Sequence, residues 1–143
     1  MNRYLKFLLI VIPVVVIDLL TKSIFKYREI PIINNLFHIS YSENPGLVFG
    51  LFSHNLFFTI LTPLLVIGLI IYYFYNKELT LVGSALIVSG LLGNLIDRII
   101  HGYVIDWIFV MIYPKYNISL FNLADTSLVI GVLVSIYFLV KKN

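Results

Sequence analysis

The sequence has no cysteine. That excludes disulfides, thiolate metal ligands and a cysteine nucleophile, and leaves the redox compartment open. Charge is also scarce: 12% of the residues are Asp, Glu, Lys or Arg, where a soluble domain carries roughly 25%. The net charge of +3 is modest and its basic residues are scattered. Nothing resembles a nucleic-acid patch. No Gly-x-Ser-x-Gly elbow and no His-Glu-x-x-His motif occurs, which argues against an elbow-type serine hydrolase and a zinc protease. A serine–lysine pair is weak, because Ser23 adjoins Lys22 and cannot share its helix face.

What remains is mostly apolar. Of 143 residues, 60% are hydrophobic, and the mean hydropathy is +0.99. The composition reads as an integral membrane protein forming one domain, residues 1–143.

Four runs have the length of a membrane helix, about 20 residues or 30 Å. The first, Leu5 to Phe25, follows Arg3 and imitates a signal peptide. Asp18-Leu19-Leu20-Thr21-Lys22 follows its apolar part with no small-x-small cleavage site, so the reading is an uncleaved helix. Pro13 should kink it. Asp18, Thr21 and Lys22 share one face. An Asp18–Lys22 bridge between helices and a place in a site are compatible readings of that face. The second run, Leu56 to Tyr75, is uncharged and ends in an aromatic belt. The third, Leu79 to Ile100, carries Ala85, Ser89 and Gly93 as a small-xxx-small stripe, read as packing. The fourth runs from Phe121 to Val140 and closes with Lys141-Lys142.

Between the first two spans, Leu36 to Tyr41 alternates like a strand, and Asn44-Pro45-Gly46 is a turn. A small β-element outside the bilayer follows. His38 and His54 read as surface or interfacial side chains rather than metal ligands. Between the last two spans, His101 to Leu120 is too short to cross. Val104 to Val110 should lie at the interface, partly extended, with turns at Pro114 and Asn117. Four spans put both termini on one side. Arg3, Lys6, Lys77, Lys141 and Lys142 lie there; Lys22, Lys26, Arg28, Arg98 and Lys115 lie on the other. Setting aside Lys22 and Arg98 as members of the polar cluster, five basic residues against three place the termini in the cytoplasm.

The polar residues then concentrate on one membrane face. Asp18, Asp97, Asp106 and Asp125 gather there with Lys22, Arg98, Asn94 and Asn122. Ionised groups at membrane depth are costly and mark function. Four acids exceed two cations, so at least two acids should face each other or water. Two carboxylates in a poorly solvated space do not both ionise easily, and one holds a proton. That suits an aspartic protease, in which one acid activates water and the other protonates the carbonyl oxygen. On composition alone, a proton- or cation-coupled transporter fits the same acids equally well.

Five ordered motifs narrow the choice: Asp18-Leu-Leu-Thr-Lys22; Asn44-Pro-Gly46 with Phe49-Gly50; Gly93-Asn94-Leu-Ile-Asp97-Arg98; Val104-Ile-Asp106; and Phe121-Asn122-Leu-Ala-Asp125. With these, the chain resembles the lipoprotein signal peptidases, the bacterial type II signal peptidases, over essentially its whole length. Leu47 and Val48 depart from the family pattern, which usually has small residues there. The resemblance implies an all-α membrane protein of four transmembrane helices with a small extracytoplasmic β-cradle. It assigns a catalytic aspartyl dyad to Asp106 and Asp125. It places Asp18, Lys22, Asn44, Gly46, Asn94, Asp97, Arg98 and Asn122 around the site. It implies no metal or cofactor. The implied substrate is a diacylglyceryl prolipoprotein, cut just before the lipidated cysteine at the outer face of the bacterial cytoplasmic membrane. The expected partners are that substrate and membrane lipids, with no nucleic acid, and the expected state is a monomer.

Overall fold

Elements are described from a computed structural model, which describes residues 1–33, 36–47, 52–53, 55–113, 116–117 and 120–142. Val48, Phe49, Gly50, His54, Pro114 and Lys115, all used in the sequence reading, lie outside these residues. In chain order the elements are α1 (Arg3–Phe25), β1 (Glu29–Ile33), β2 (Phe37–Asn44), α2 (Leu56–Tyr75), α3 (Leu81–His101), β3 (Val104–Tyr113), β4 (Tyr116–Asn117) and α4 (Leu123–Lys142). All four helices are long and apolar enough to cross a membrane. The expected spans agree to within two residues at each end.

Helix α3 is the hub. It is mostly buried, whereas α1, α2 and α4 keep most of their length at the surface. Their outward residues include Leu8, Ile12, Leu65, Leu69, Leu133 and Leu139. Water would not tolerate such faces, but hydrocarbon does. Inside, Phe7 and Val11 of α1, Ile67 and Phe74 of α2, and Ala85, Val88 and Leu95 of α3 form the main core. Helix α4 meets α3 through glycines outside the expected Ala85-Ser89-Gly93 stripe. A Cβ on Gly90 would collide with the Ala124 carbonyl and Leu128 of α4. Gly93 belongs to another contact as well: a Cβ there would meet the Asp18 carboxylate of α1 and the Ala124 side chain of α4. Absent side chains thus let three helices converge beside the polar cluster.

The sheet is antiparallel in the order β1-β2-β3-β4. The segment after α3, expected to be partly extended, is extended throughout. It is a ten-residue strand paired along β2, from Phe37 opposite Val110 to Asn44 opposite Val104. Val104 to Ile108 are all buried. The reason lies in α3's end. Gly102 takes φ +83°, the left-handed conformation that glycine adopts without strain, and its N–H returns to the Arg98 carbonyl. The chain reverses at once into β3. A second core of Ile39, Trp107 and Ile108, with Phe25, Phe121 and Leu123, seats the sheet on α1 and α4. The Phe25 and Trp107 rings lie 4.4 Å apart. Finally, Ile108 and Phe121 form a bridge, with Ile108 N–H donating to the Phe121 carbonyl at 2.8 Å and Phe121 N–H donating back at 3.1 Å. That bridge holds Asp106 beside the start of α4.

Candidate active site

Asn122 occupies the centre of the polar cluster and is wholly buried. Its amide donates to Asp106 Oδ1 at 2.7 Å. Its Oδ1 accepts the Asp125 N–H at 2.9 Å, and Asp125 Oδ2 accepts the Asn122 N–H at 3.2 Å. This reciprocal pair is a capping box at the start of α4. The fourth span read from the sequence begins at Phe121, which puts Asn122 inside the helix. The structure instead makes it the cap, and the signal was available: Asn-x-x-Asp directly before an apolar run is a helix-start signature. Asn94-x-x-Asp97 has the same spacing but lies inside α3, where backbone donors are already satisfied. Its side chains are therefore free for tertiary contacts.

Those contacts are specific. Asn94 Nδ2 donates to Asp125 Oδ1 at 2.7 Å. Asn94 Oδ1 accepts from Lys22 Nζ at 3.0 Å and from Asn122 Nδ2 at 3.1 Å. Asp106 is 3% exposed. Its second oxygen accepts from Asn44 Nδ2 at 3.2 Å. Asn44 in turn accepts the Gly46 N–H at 3.1 Å, an Asx turn that aims its amide at Asp106. Arg98 pins this turn to α3 by donating from Nη2 to the Gly46 carbonyl at 2.7 Å. The guanidinium therefore holds a loop, and it makes no ion pair with Asp97.

The close partner of Asp97 is Lys22, while His101 Nδ1 lies 3.9 Å from its other oxygen. The ammonium sits 2.9 Å from Asp97 Oδ2 and 2.8 Å from Asp18 Oδ2, and none of the three side chains is more than 2% exposed. The expected Asp18–Lys22 bridge is present, and it is one arm of a three-membered ionic group. Each acid also anchors backbone. Asp97 Oδ2 accepts the Ile105 N–H at 3.0 Å, fixing the residue before Asp106. Asp18 Oδ1 accepts the Ala124 N–H at 2.8 Å, fixing the residue before Asp125. Neither bond is legible in the sequence, since backbone donors leave no trace in residue type. They link the ionic group to both candidate dyad residues.

The electrostatics of Asp106 follow. Burial raises its pKa to about 7, with the charge of Asp125 adding to the rise; the Asn44 and Asn122 hydrogen bonds and the Lys22 charge oppose it. At neutral pH this carboxyl is poised to carry a proton. All ten residues singled out from the sequence therefore join one network: Asp106, Asp125, Asp18, Lys22, Asn44, Gly46, Asn94, Asp97, Arg98 and Asn122. His38 lies apart from it, beside the Phe109 ring.

Comparison with known proteins identifies the family. The family model described as signal peptidase (SPase) II matches residues 10–141. The lipoprotein signal peptidase of Clostridioides difficile is 38% identical over 142 residues, covering 93% of this chain and 94% of the relative. That of Halothermothrix orenii is 36% identical over 140 residues, covering 95% and 93%. A solved structure of a bacterial membrane enzyme superimposes with a TM-score of 0.82 at 31% identity, covering 94% of this chain and 87% of the other. With a family model spanning nearly the whole sequence and relatives matched end to end, the chain belongs to the signal peptidase II family, and it is a multi-pass membrane peptidase.

Proposed function

We propose that the chain is an aspartic endopeptidase that removes the signal peptide from diacylglyceryl-modified prolipoproteins, cutting just before the lipidated cysteine. The observation that carries the aspartic assignment is Asn122, which hydrogen-bonds Asp106 with its side chain and caps a helix reciprocally with Asp125. One residue thus holds two carboxyls beside each other. In the mechanism, a water lies between them. Asp125 takes a proton from that water as its oxygen attacks the scissile carbonyl carbon. Asp106 gives its proton to the carbonyl oxygen. The tetrahedral adduct collapses when its hydroxyl proton returns to Asp106 and the amine leaves with the proton from Asp125. Two carboxyls sharing one proton are thereby regenerated.

The site belongs at the outer face of the bacterial cytoplasmic membrane, with both termini in the cytoplasm. Basic-residue asymmetry supports that orientation. Substrate helix and acyl chains share the bilayer with the enzyme and reach the site by lateral diffusion. The test is cleavage of a diacylglyceryl reporter peptide beside the same peptide without lipid, using purified protein. The lipidated peptide should be cut far faster. Equal turnover of the two would make the chain a general intramembrane protease.

A further inference from the structure

Lys22 does not touch either dyad carboxyl, yet its position constrains one of them. Its ammonium contacts three oxygens within 3.0 Å: Asp18 Oδ2, Asp97 Oδ2 and Asn94 Oδ1. An ammonium has three donors and no acceptor. So engaged, and almost wholly buried, it is unsuited to act as a nucleophile or a base. Its remaining chemical influence runs through Asn94. A carboxamide has an accepting end and a donating end, which exchange by a half-turn of the side chain. Lys22 accepts nothing, so it selects the orientation with Oδ1 toward itself. The opposite end, Nδ2, then points at Asp125 Oδ1, 2.7 Å away. The reversed amide would set NH2 against the ammonium and a carbonyl against the carboxylate, two unfavourable contacts.

Asn122 alone does not fix this choice as strongly. Its Nδ2 faces three acceptors, Asn94 Oδ1, Asp106 Oδ1 and the Ile105 carbonyl, with only two hydrogens. The shortest of the three contacts is to Asp106.

We propose that Lys22 is a positioning residue for cleavage: it locks the Asn94 amide so that its NH2 donates to Asp125, holding the Asp125 carboxylate aimed at the water. The ionic group of Asp18, Lys22 and Asp97 is in this view part of the reaction as well as of the fold. A neutral donor in place of the ammonium would not hold the amide as firmly, because charge-assisted hydrogen bonds are roughly twice as strong as neutral ones.

This inference rests on the dyad reading, and its test separates the two. A double-mutant cycle of Lys22→Met, Asn94→Ala and both together is assayed with the lipidated reporter, alongside Asp125→Asn. Each single variant should lower kcat on the order of tenfold or more, with KM within about twofold, and the pair should be no worse than the slower single variant, because residues acting as a unit are not additive. If Lys22→Met does not fold, the set Asp18→Asn, Lys22→Met, Asp97→Asn replaces it. That set removes the ammonium without stranding a carboxylate and keeps an oxygen for the Ala124 and Ile105 N–H groups. Multiplicative losses, or a Lys22 variant of unchanged kcat, would overturn the proposal while inactive Asp125→Asn kept the dyad. An active Asp125→Asn would instead remove the dyad reading itself.

Discussion

Replacing Asp97 by Ala tests whether the ionic group supports the site. In the structure Asp97 Oδ2 serves two buried donors, Lys22 Nζ at 2.9 Å and the Ile105 N–H at 3.0 Å. Ala offers neither an acceptor. An orphaned buried N–H costs about 1–3 kcal/mol, and breaking a buried ion pair costs about 3–5 kcal/mol. The two costs are not simply additive, because Lys22 keeps Asp18 at 2.8 Å and Asn94 at 3.0 Å. The expected loss is therefore about 3–5 kcal/mol in total. Asp97→Asn should lose less, since its amide oxygen still accepts from Ile105. Thermal unfolding in detergent, followed by a spectroscopic signal, measures both. Asp97→Ala should melt well below the parent and Asp97→Asn in between. An Ala variant that melts like the parent but cleaves nothing would place Asp97 in the chemistry and refute the supporting role.

Two further outcomes are expected. The Asp106 carboxyl, raised to about 7, is protonated in the folded chain at pH values where an ordinary carboxyl is not. The stability linked to that proton is full below the usual carboxylate range and is lost as pH rises through about 7. The proton is also the one donated in cleavage, so kcat/KM should fall along an alkaline limb near pH 7. The Asn44 hydrogen bond opposes the rise, so Asn44→Ala should move that limb to higher pH; a limb that stays in place would contradict the assignment. As for orientation, single cysteines at Arg28 and Lys77, both exposed, should react with an impermeant label from outside at position 28 only. The reverse pattern would invert the topology.

How much of this was legible beforehand differs by element. The helices were legible because hydrocarbon imposes a length and a composition on each span, and Leu56 to Tyr75 emerges with the expected ends. The gathering of the acids was legible because charge at membrane depth is conspicuous against apolar runs. Strand β3 was less so. Buried on both sides from Val104 to Ile108, it lacks the alternation that marks a half-exposed strand, so a partly extended stretch was legible but its ten-residue length was not. The role of Gly90 was hidden, because a helix-packing glycine declares itself only when the neighbouring helix is known. Inside the site, residue types suggested which side chains would meet, but not the direction of each bond. That Asp97 would hold Ile105, and Asp18 hold Ala124, depends on backbone donors brought close by the Gly102 reversal and by the α1–α4 contact.

The central claim is that Asp106 and Asp125 perform cleavage together. Each of Asp106→Asn and Asp125→Asn changes one oxygen to a nitrogen-bearing group of the same size and opens no cavity. The decisive measurement is the rate of cleavage of a diacylglyceryl reporter peptide by both single variants and the double variant, purified folded, with a chelator present. All three should be inactive at the detection limit while melting near the parent, which should itself remain active with the chelator. Substantial cleavage by either single variant in a folded preparation would contradict the aspartyl mechanism.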